Sequence, residues 1–273
     1  MLFLTRQACP ELREFVDWFW FYEGLSPAHR LERILPDGTF ELCINLRDEA
    51  RHTYDLKDHK PKAAYRRAWL SGTHTQHIVI DTAADSSMMG VHFQPAGAAG
   101  VLGMPAGELT DRVVELDSIL GTAGFDLHNA LLEAPTPDAK FTVLESFLLR
   151  LARRAGVRSP AISHALHWFT AEPTMTSIDT VAGELGVSHK HLIQRFRDEV
   201  GLTPKRFCRI RRFQSVLKTI QNQNTVDWAD LACACGYFDQ AHFIREFRDF
   251  SGLNPSAYLT QRGEYLGFVP VEG

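Results

Sequence analysis

The sequence has few cysteines and no long apolar run. Its five cysteines are odd in number and scattered over 273 residues, which is not the pattern of a disulfide framework. The densest apolar run, at residues 18–22, is far shorter than the roughly 20 residues that span a bilayer. The first residues also lack the charged and then apolar layout of a signal peptide. These absences predict a cytoplasmic protein in a reducing compartment, with no membrane segment.

The sequence also has little net charge. Its 29 Lys and Arg against 33 Asp and Glu give −4 at pH 7, and that value, taken whole, argues against a nucleic-acid partner. The charges are unevenly divided: residues 1–157 hold 16 basic and 21 acidic side chains, whereas residues 158–262 hold 13 and 10. No acidic residue lies between Glu199 and Asp227. Six basic residues fall there: Lys205, Arg206, Arg209, Arg211, Arg212 and Lys218.

The first hundred residues carry short apolar or alternating runs that are separated by turn residues. The runs lie at residues 15–22, 40–46, 68–70, 78–80 and 89–93. Short runs bounded by Gly, Pro and Asp are typical of strands. Residues 1–107 are therefore predicted to form a β-rich domain, either a small barrel or a sandwich.

The pattern becomes helical in residues 108–157. Apolar residues recur three and four positions apart around Leu109 to Leu116, in residues 125–132, and again from Phe141 to Leu151. Two prolines, Pro135 and Pro137, interrupt the pattern. We predict a helical bridge here, then an all-α domain over residues 158–262 and a tail at 263–273.

An internal repeat runs through the predicted all-α domain. Residues 178–186 align with residues 228–236 at an offset of 50, and residues 196–204 align with 247–255 at an offset of 51. Each unit reads as a short helix, a turn built on Gly, and a second helix that opens on a good N-cap, Ser188 or Asp239. The repeat therefore predicts two helix-turn-helix units.

The second helix of each unit has one apolar face and one polar face. Lys190, Gln194, Gln240 and Arg245 lie on the polar faces, and Lys, Arg and Gln suit the base edges that the major groove presents. The acid-free segment between the units is itself helical by pattern. Such a helix would hold the recognition helices apart by about one DNA turn, about 34 Å.

Residues 159–261 resemble the DNA-binding domain of AraC/XylS-type bacterial transcriptional regulators. The most specific segment is GYFDQAHFIREFR at residues 236–248, followed by GLNP at 252–255. The resemblance implies two helix-turn-helix units joined by a long helix. It places six side chains against the bases: Lys190, Ile193, Gln194, Gln240, Ala241 and Arg245. Of these, Ile193 and Ala241 are apolar and suit a thymine methyl but no hydrogen bond.

Other side chains are expected at the DNA phosphates, which supply affinity and register. The predicted set is Ser188, Lys205, Arg206, Arg209, Arg212 and Arg248.

The N-terminal part is similar to the β-rich, cupin-like domain found in one branch of that family. The similarity lies in RILPDG at residues 33–38 and HFQPAGAA at residues 92–99. It implies architecture but no particular ligand. The effector pocket is therefore unknown at this point.

Two clusters in the N-terminal domain admit more than one interpretation. His74, His77 and His92 are weak candidates for a metal site, but strand residues that share a face lie two apart, so His74 and His77 would point opposite ways unless a turn intervenes. We favour solvated or hydrogen-bonded histidines and predict no metal and no cofactor. The aromatic run at residues 15–22 suits either the wall of an effector pocket or core plus a dimer interface.

The cysteines are predicted to be unreactive. Cys235 is interpreted as a small core residue and Cys208 as an ordinary, partly buried thiol.

Together these patterns predict an α+β multidomain protein that acts as a sequence-specific transcriptional regulator and not as an enzyme. The expected partners are double-stranded promoter DNA, a small-molecule effector, RNA polymerase if the protein is an activator, and a second copy in a homodimer, with no membrane. Three alternatives remain: a metal-dependent cupin-type enzyme or sensor fused to a DNA-binding domain, a repair protein with a cysteine acceptor, and a DNA organiser without sequence preference.

Overall fold

The computed structural model describes residues 1–154, 159–171, 173 and 177–271. A β-rich N-terminal part is followed by a helical C-terminal part, as predicted. The described strands are β1 (Leu2–Gln7), β2 (Val16–Leu25), β3 (Leu31–Ile34), β4 (Glu41–Asn45), β5 (Arg51–Tyr54), β6 (Pro61–Tyr65), β7 (Ala68–Ser71), β8 (Ile78–Asp81), β9 (Ser86–Phe93), β10 (Val113–Glu115) and β11 (Phe268–Pro270).

The strands form two antiparallel sheets. The first, sheet A, has the order β1-β2-β9-β4-β7-β10, and the second, sheet B, has the order β11-β3-β8-β5-β6. All five predicted strand runs lie in sheets A and B, within a few residues of the observed bounds. The strands that the pattern did not reveal are short or polar, such as β5, and several lie at or next to a sheet edge.

The helices cover one face of sheet A and build the C-terminal part. They are α1 (Gly97–Leu102), α2 (Leu116–Leu120), α3 (Thr122–Glu133), α4 (Pro137–Ala152), α5 (Pro160–Ala171), α6 (Ile178–Glu184), α7 (His189–Val200), α8 (Pro204–Ile220), α9 (Trp228–Ala234), α10 (Gln240–Ser251) and α11 (Pro255–Gln261). A 3-10 turn, Ala106–Leu109, follows α1.

The interpretation of residues 109–116 as one helix is wrong for residues 110–115, because Leu109 ends a 3-10 turn and α2 begins only at Leu116. Val113, Val114 and Glu115 form β10, which pairs with β7 in antiparallel register. The edge of β7 offers free backbone groups, and two adjacent β-branched valines suit an extended strand better than a helix. Helices α3 and α4 are present as predicted, separated by the segment that contains Pro135.

Strand β2 alternates between two environments. Phe19 and Phe21 are buried against α3 and α4, and the ring centre of Phe19 lies 6.5 Å from that of Phe141. Trp20 and Tyr22 point to the opposite face, toward sheet B, and stay half-buried. The aromatic run is thus divided by the two-residue period of a strand between the core and the space between the sheets.

The C-terminal part consists of two similar units around α8. Ser188 accepts a hydrogen bond from the backbone N–H of His191, and Asp239 accepts one from that of His242, so both predicted N-caps are formed. Gly201 ends α7 and Gly252 ends α10, both with positive φ. Helix α8, of 17 residues, joins the units.

The segment after residue 262 returns to the N-terminal domain. Strand β11 pairs with β3, and Val269 is completely buried. The backbone N–H of Leu35 donates to the carbonyl of Gly267 at 2.8 Å. The tail therefore adds an edge strand to sheet B.

Within the described ranges, no helix is both long enough and apolar enough to cross a membrane.

Candidate DNA-binding surface

The two recognition helices, α7 and α10, each bury one stripe and leave the opposite face to solvent. Helix α7 buries Leu192, Phe196 and Val200. Helix α10 buries Phe243, Phe247 and Phe250, together with two polar residues. Five of the six predicted base-facing residues are exposed on the free faces, and Ile193 is half-buried.

The free face of α7 is partly organised by its own side chains. The Gln194 side-chain amide donates to Asp198 one turn further on, at 2.9 Å. Lys190, by contrast, is exposed in the first turn of the helix. Lys190 is therefore free to reach a groove, whereas Gln194 must leave Asp198 before it can contact a base.

The free face of α10 carries Gln240 and Ala241 in its first turn and Arg245 in its second. The sequence reasoning missed one neighbour: Phe238, which is 91% exposed, lies immediately before the N-cap Asp239. The signal available in the sequence is a phenylalanine directly before the N-cap of the helix.

The predicted phosphate contacts fall into two groups. Ser188, Lys205 and Arg248 are exposed. The guanidinium group of Arg206 is partly covered, with its carbon 5.5 Å from the centre of the Phe250 ring, and burial lowers the pKa of Arg206. Ser188, Lys205 and Arg248 therefore have free access to DNA, whereas the Arg206 guanidinium group is partly shielded.

Arg209 and Arg212 are held by a carboxylate in α10. Glu246, whose side chain is 2% exposed, accepts from Nε of Arg209 and from Nη2 of Arg212, both at 2.7 Å. Arg212 also donates to the carbonyl of Gly236 and lies over the Tyr237 ring. These contacts join α8 to α10, a positioning role that the sequence did not predict, and phosphate binding by the two arginines stays a prediction.

A groove of about 590 Å³ lies beside this ion pair. Helix α8 contributes Lys205, Cys208, Arg209 and Arg212 to its lining. Burial raises the pKa of the Cys208 thiol to about 11, which agrees with an unreactive cysteine.

The N-terminal domain contacts the C-terminal end of each recognition helix. The hydroxyl of Thr110 donates to the carbonyl of Gly201, at the end of α7. The backbone N–H of His77 donates to the carbonyl of Phe250, near the end of α10, at 2.8 Å. Both recognition helices are therefore held at their C-terminal ends by the N-terminal domain.

The two N-terminal motifs lie at this interdomain contact. In RILPDG, Leu35 packs in the C-terminal core and the carbonyl of Pro36 accepts from Gln214 of α8 at 2.8 Å. In HFQPAGAA, Ala96 packs in the same core, and α1 contacts α7. Both motifs therefore contribute to domain docking.

The three candidate histidines have separate partners. His74 contacts the hydroxyl of Ser71, and His77 is buried against α10, where burial lowers its pKa to about 4. His92 stacks on Trp18; burial opposes its charge, but Glu41 at 2.6 Å outweighs this and raises the pKa of His92 to about 9. In the part of the chain that the structure describes, no three His, Cys, Asp or Glu side chains are placed to hold a metal ion.

Replacing Gly252 by alanine tests the docking contact. A Cβ at Gly252 would lie 2.6 Å from Cε1 of the buried His77 ring, and its φ is +74°. We expect the free energy of unfolding to fall by about 2–3 kcal/mol, from backbone strain and the displaced ring together.

Gly186→Ala is the matched control, because Gly186 has a φ of +64° and nothing within 4 Å of an added Cβ. Gly186→Ala should lower the free energy of unfolding by about 1 kcal/mol, which is the cost of the backbone strain alone. Urea denaturation of the full chain measures both variants, and equal losses would contradict the docking contact.

Comparison with known proteins identifies a family match in each of the two parts of the chain. Residues 4–115 match a family described as a domain of unknown function, DUF6597, and residues 181–261 match a helix-turn-helix domain. The HTH-type transcriptional activator AarP of Providencia stuartii is 30% identical over 116 residues, which are 42% of this chain and 85% of AarP. The probable transcription factor PqrA of Proteus vulgaris is 32% identical over 81 residues, or 30% of this chain and 66% of PqrA. The structure of ToxT from Vibrio cholerae aligns over 95% of this chain and 98% of ToxT, with 9% identity and a TM-score of 0.47.

Proposed function

The chain belongs to the AraC-type family of helix-turn-helix transcriptional regulators, and from this membership we propose that α7 and α10 read two adjacent segments of the major groove in promoter DNA. The observation that carries the proposal is the pair of capped helices, each with an exposed polar face, held on one basic helix, α8. A single chain then covers about two helical turns of DNA without needing a partner copy.

Base recognition is assigned to the two exposed faces. Arg245 suits guanine O6 and N7, and Gln240 suits adenine N6 and N7. Lys190 provides the charged contact of the first unit, whereas Ile193 and Ala241 offer apolar contact to a thymine methyl. Arg245 is expected to contribute most to discrimination, because a bidentate guanidinium contact is the most specific of these.

Affinity and register are assigned to the phosphate contacts. Lys205 and Arg248 are exposed and have no ion pair with the residues that the structure describes, so each can approach a phosphate without breaking an internal salt bridge. The N-terminus of α8 begins beside Lys205, and helix N-termini favour phosphate groups. Arg209 and Arg212 keep their proposed phosphate contacts and also support the interface indirectly, by fixing α10 against α8.

The N-terminal domain is proposed to control DNA binding through its contacts with Gly201 and Phe250. A ligand or a second copy that shifts this domain would change how the recognition helices are held. We propose that the protein works in the cytoplasm by binding DNA rather than by catalysis, and that it contacts RNA polymerase if it activates transcription.

Selection of binding sites from random double-stranded DNA by the full chain tests the proposal. We expect a discrete motif with two blocks whose centres lie about one turn, or about 10 base pairs, apart. Enrichment without a motif would overturn sequence-specific binding and favour a DNA organiser. A motif with a single block would overturn reading by both units.

A further inference from the structure

The space between the two sheets is lined differently from the core on the other side of sheet A. On the helix side, Phe19 and Phe21 are at most 2% exposed. On the inner side, Trp20, Tyr22 and Cys43 stay half-buried even though sheet B lies over them. The inter-sheet side of sheet A is therefore less tightly covered than its helix side.

The walls of this space are aromatic. The rings of Trp20 and Tyr22 stack with their centres 5.8 Å apart, and those of Tyr65 and Trp69 lie 5.7 Å apart. Met88 belongs to the same cluster. Flat rings and a thioether form a surface suited to a flat apolar molecule.

Arg51 brings a positive charge into the same space. It lies directly opposite Tyr65 in the β5–β6 ladder, and directly opposed residues of an antiparallel pair point to the same face. Burial raises the pKa of Tyr22 to about 12, and the nearby positive charge of Arg51 acts to lower that pKa. The guanidinium group therefore lies near Tyr22, across from sheet A.

The guanidinium group of Arg51 is buried without compensation. The residue is 7% exposed, and its Nε and Nη2 have no hydrogen-bond partner among the described residues. The acids that the ladders place on this side of the sheets have other partners: Glu32 pairs with His29 at 3.2 Å, Glu41 binds Trp20 and His92, and Glu115, opposite Trp69, accepts from the backbone N–H of Arg66 at 3.0 Å. A buried cation with unused donors is costly unless an anion supplies acceptors.

We propose that the space between the sheets binds a small organic carboxylate with a flat apolar body, held by Arg51 at its carboxylate and by Trp20, Tyr22 and Trp69 along its body. The two unused donors of Arg51 match the two oxygens of a carboxylate. This inference rests on the proposed function, in which such a ligand is the effector of the DNA-binding domain. Neutral ligands of the same shape are excluded as the preferred class, because they would leave the guanidinium group unpaired.

Calorimetric titration of the full chain in the absence of DNA tests the proposal. The probes are trans-cinnamate, 4-phenylbutyrate and indole-3-acetate, each compared with its neutral amide. We expect at least one acid to bind about ten-fold or more tightly than its amide, which is the advantage that a charge-assisted contact provides. Equal affinity within every pair, or no binding of any of the three acids, would overturn the proposal.

Arg51→Met separates a ligand contact from a structural role. We expect the variant to lose the preference for the acid and to unfold at a temperature several degrees higher, because an uncompensated buried charge has been removed. A lower unfolding temperature would overturn the assignment, since it would mean that the arginine stabilises the ligand-free fold.

Arg47→Met is the matched control. The Arg47 guanidinium group is 41% exposed and pairs with Asp85 at 3.2 Å, outside the space between the sheets. Its substitution should leave the preference for the acid unchanged, and loss of that preference would count against the site. Binding of the wild-type chain to its selected DNA is measured on the same preparation, so failure of the carboxylate site and failure of DNA recognition remain distinguishable.

Discussion

Replacing Glu246 by glutamine is expected to lower the free energy of unfolding by about 3 kcal/mol. The carboxylate is 2% exposed and accepts from both Arg209 and Arg212 at 2.7 Å. Glutamine keeps the size of the side chain but removes its charge and one acceptor, which leaves two arginines facing a neutral group. The arginines are themselves 30% and 14% exposed, so solvent offsets part of the loss and the value lies at the lower end of that for a buried pair.

The same substitution should also weaken DNA binding. Glu246 lies on α10, and the arginines lie on α8, so the ion pair fixes a recognition helix against the helix that joins the units. Urea denaturation gives the stability, and hydrogen exchange of the α10 amides shows whether that helix opens first.

Asp249→Asn is the control for Glu246→Gln. Its carboxylate is 65% exposed and lies 3.8 Å from Arg209, and exposed pairs of this kind contribute about 0–1 kcal/mol. A loss near zero for Asp249→Asn with a large loss for Glu246→Gln is expected. Equal, small losses would show that the buried ion pair does not hold α10 in place.

Replacing Arg245 by alanine is expected to weaken binding to the selected DNA site about 10-fold to 100-fold while leaving binding to random DNA nearly unchanged. Arg245 is exposed on the free face of α10, and its side chain has no hydrogen bond or ion pair within the described part of the chain. Because the residue lies outside the core, its removal should not alter stability by more than about 0.5 kcal/mol. Competition binding with selected and random duplexes measures both affinities.

Lys205→Ala is the comparison for Arg245→Ala, because Lys205 is also exposed and basic but lies on α8. Loss of a phosphate contact weakens binding to all DNA sequences alike. It also lowers the slope of log affinity against log salt concentration by about one. Equal loss on selected and random DNA after Arg245→Ala would contradict base reading by that residue.

Local patterns predicted the C-terminal part well. The repeat, the N-caps Ser188 and Asp239, and the turns built on Gly186 and Gly236 all depend on residues within a few positions of one another, and the structure contains each of them. The apolar stripes of α7 and α10 are likewise a local periodicity. Such features can be identified in one sequence because the backbone and its near neighbours determine them.

Contacts between distant residues were not predictable from those patterns. The segment between Glu199 and Asp227 holds no acidic partner for Arg209 and Arg212, and Glu246 reaches them from α10, 34 or more positions away. The pairing of β11 with β3 and the burial of Arg51 under sheet A depend on tertiary structure in the same way. The two-residue period of a strand divides the aromatic run at residues 15–22 between two faces of the sheet. Only the tertiary structure shows which of these faces meets the helices.

The central claim is that one chain reads two groove segments whose separation is determined by α8. Insertion of half a turn, about five base pairs, between the two blocks of the selected site tests this most directly, because it rotates one block to the opposite side of the duplex. We expect affinity to fall to that of a site with a single block. Unchanged affinity for the DNA with the insertion would contradict the claim, since it would mean that the two recognition helices do not bind as one rigid unit.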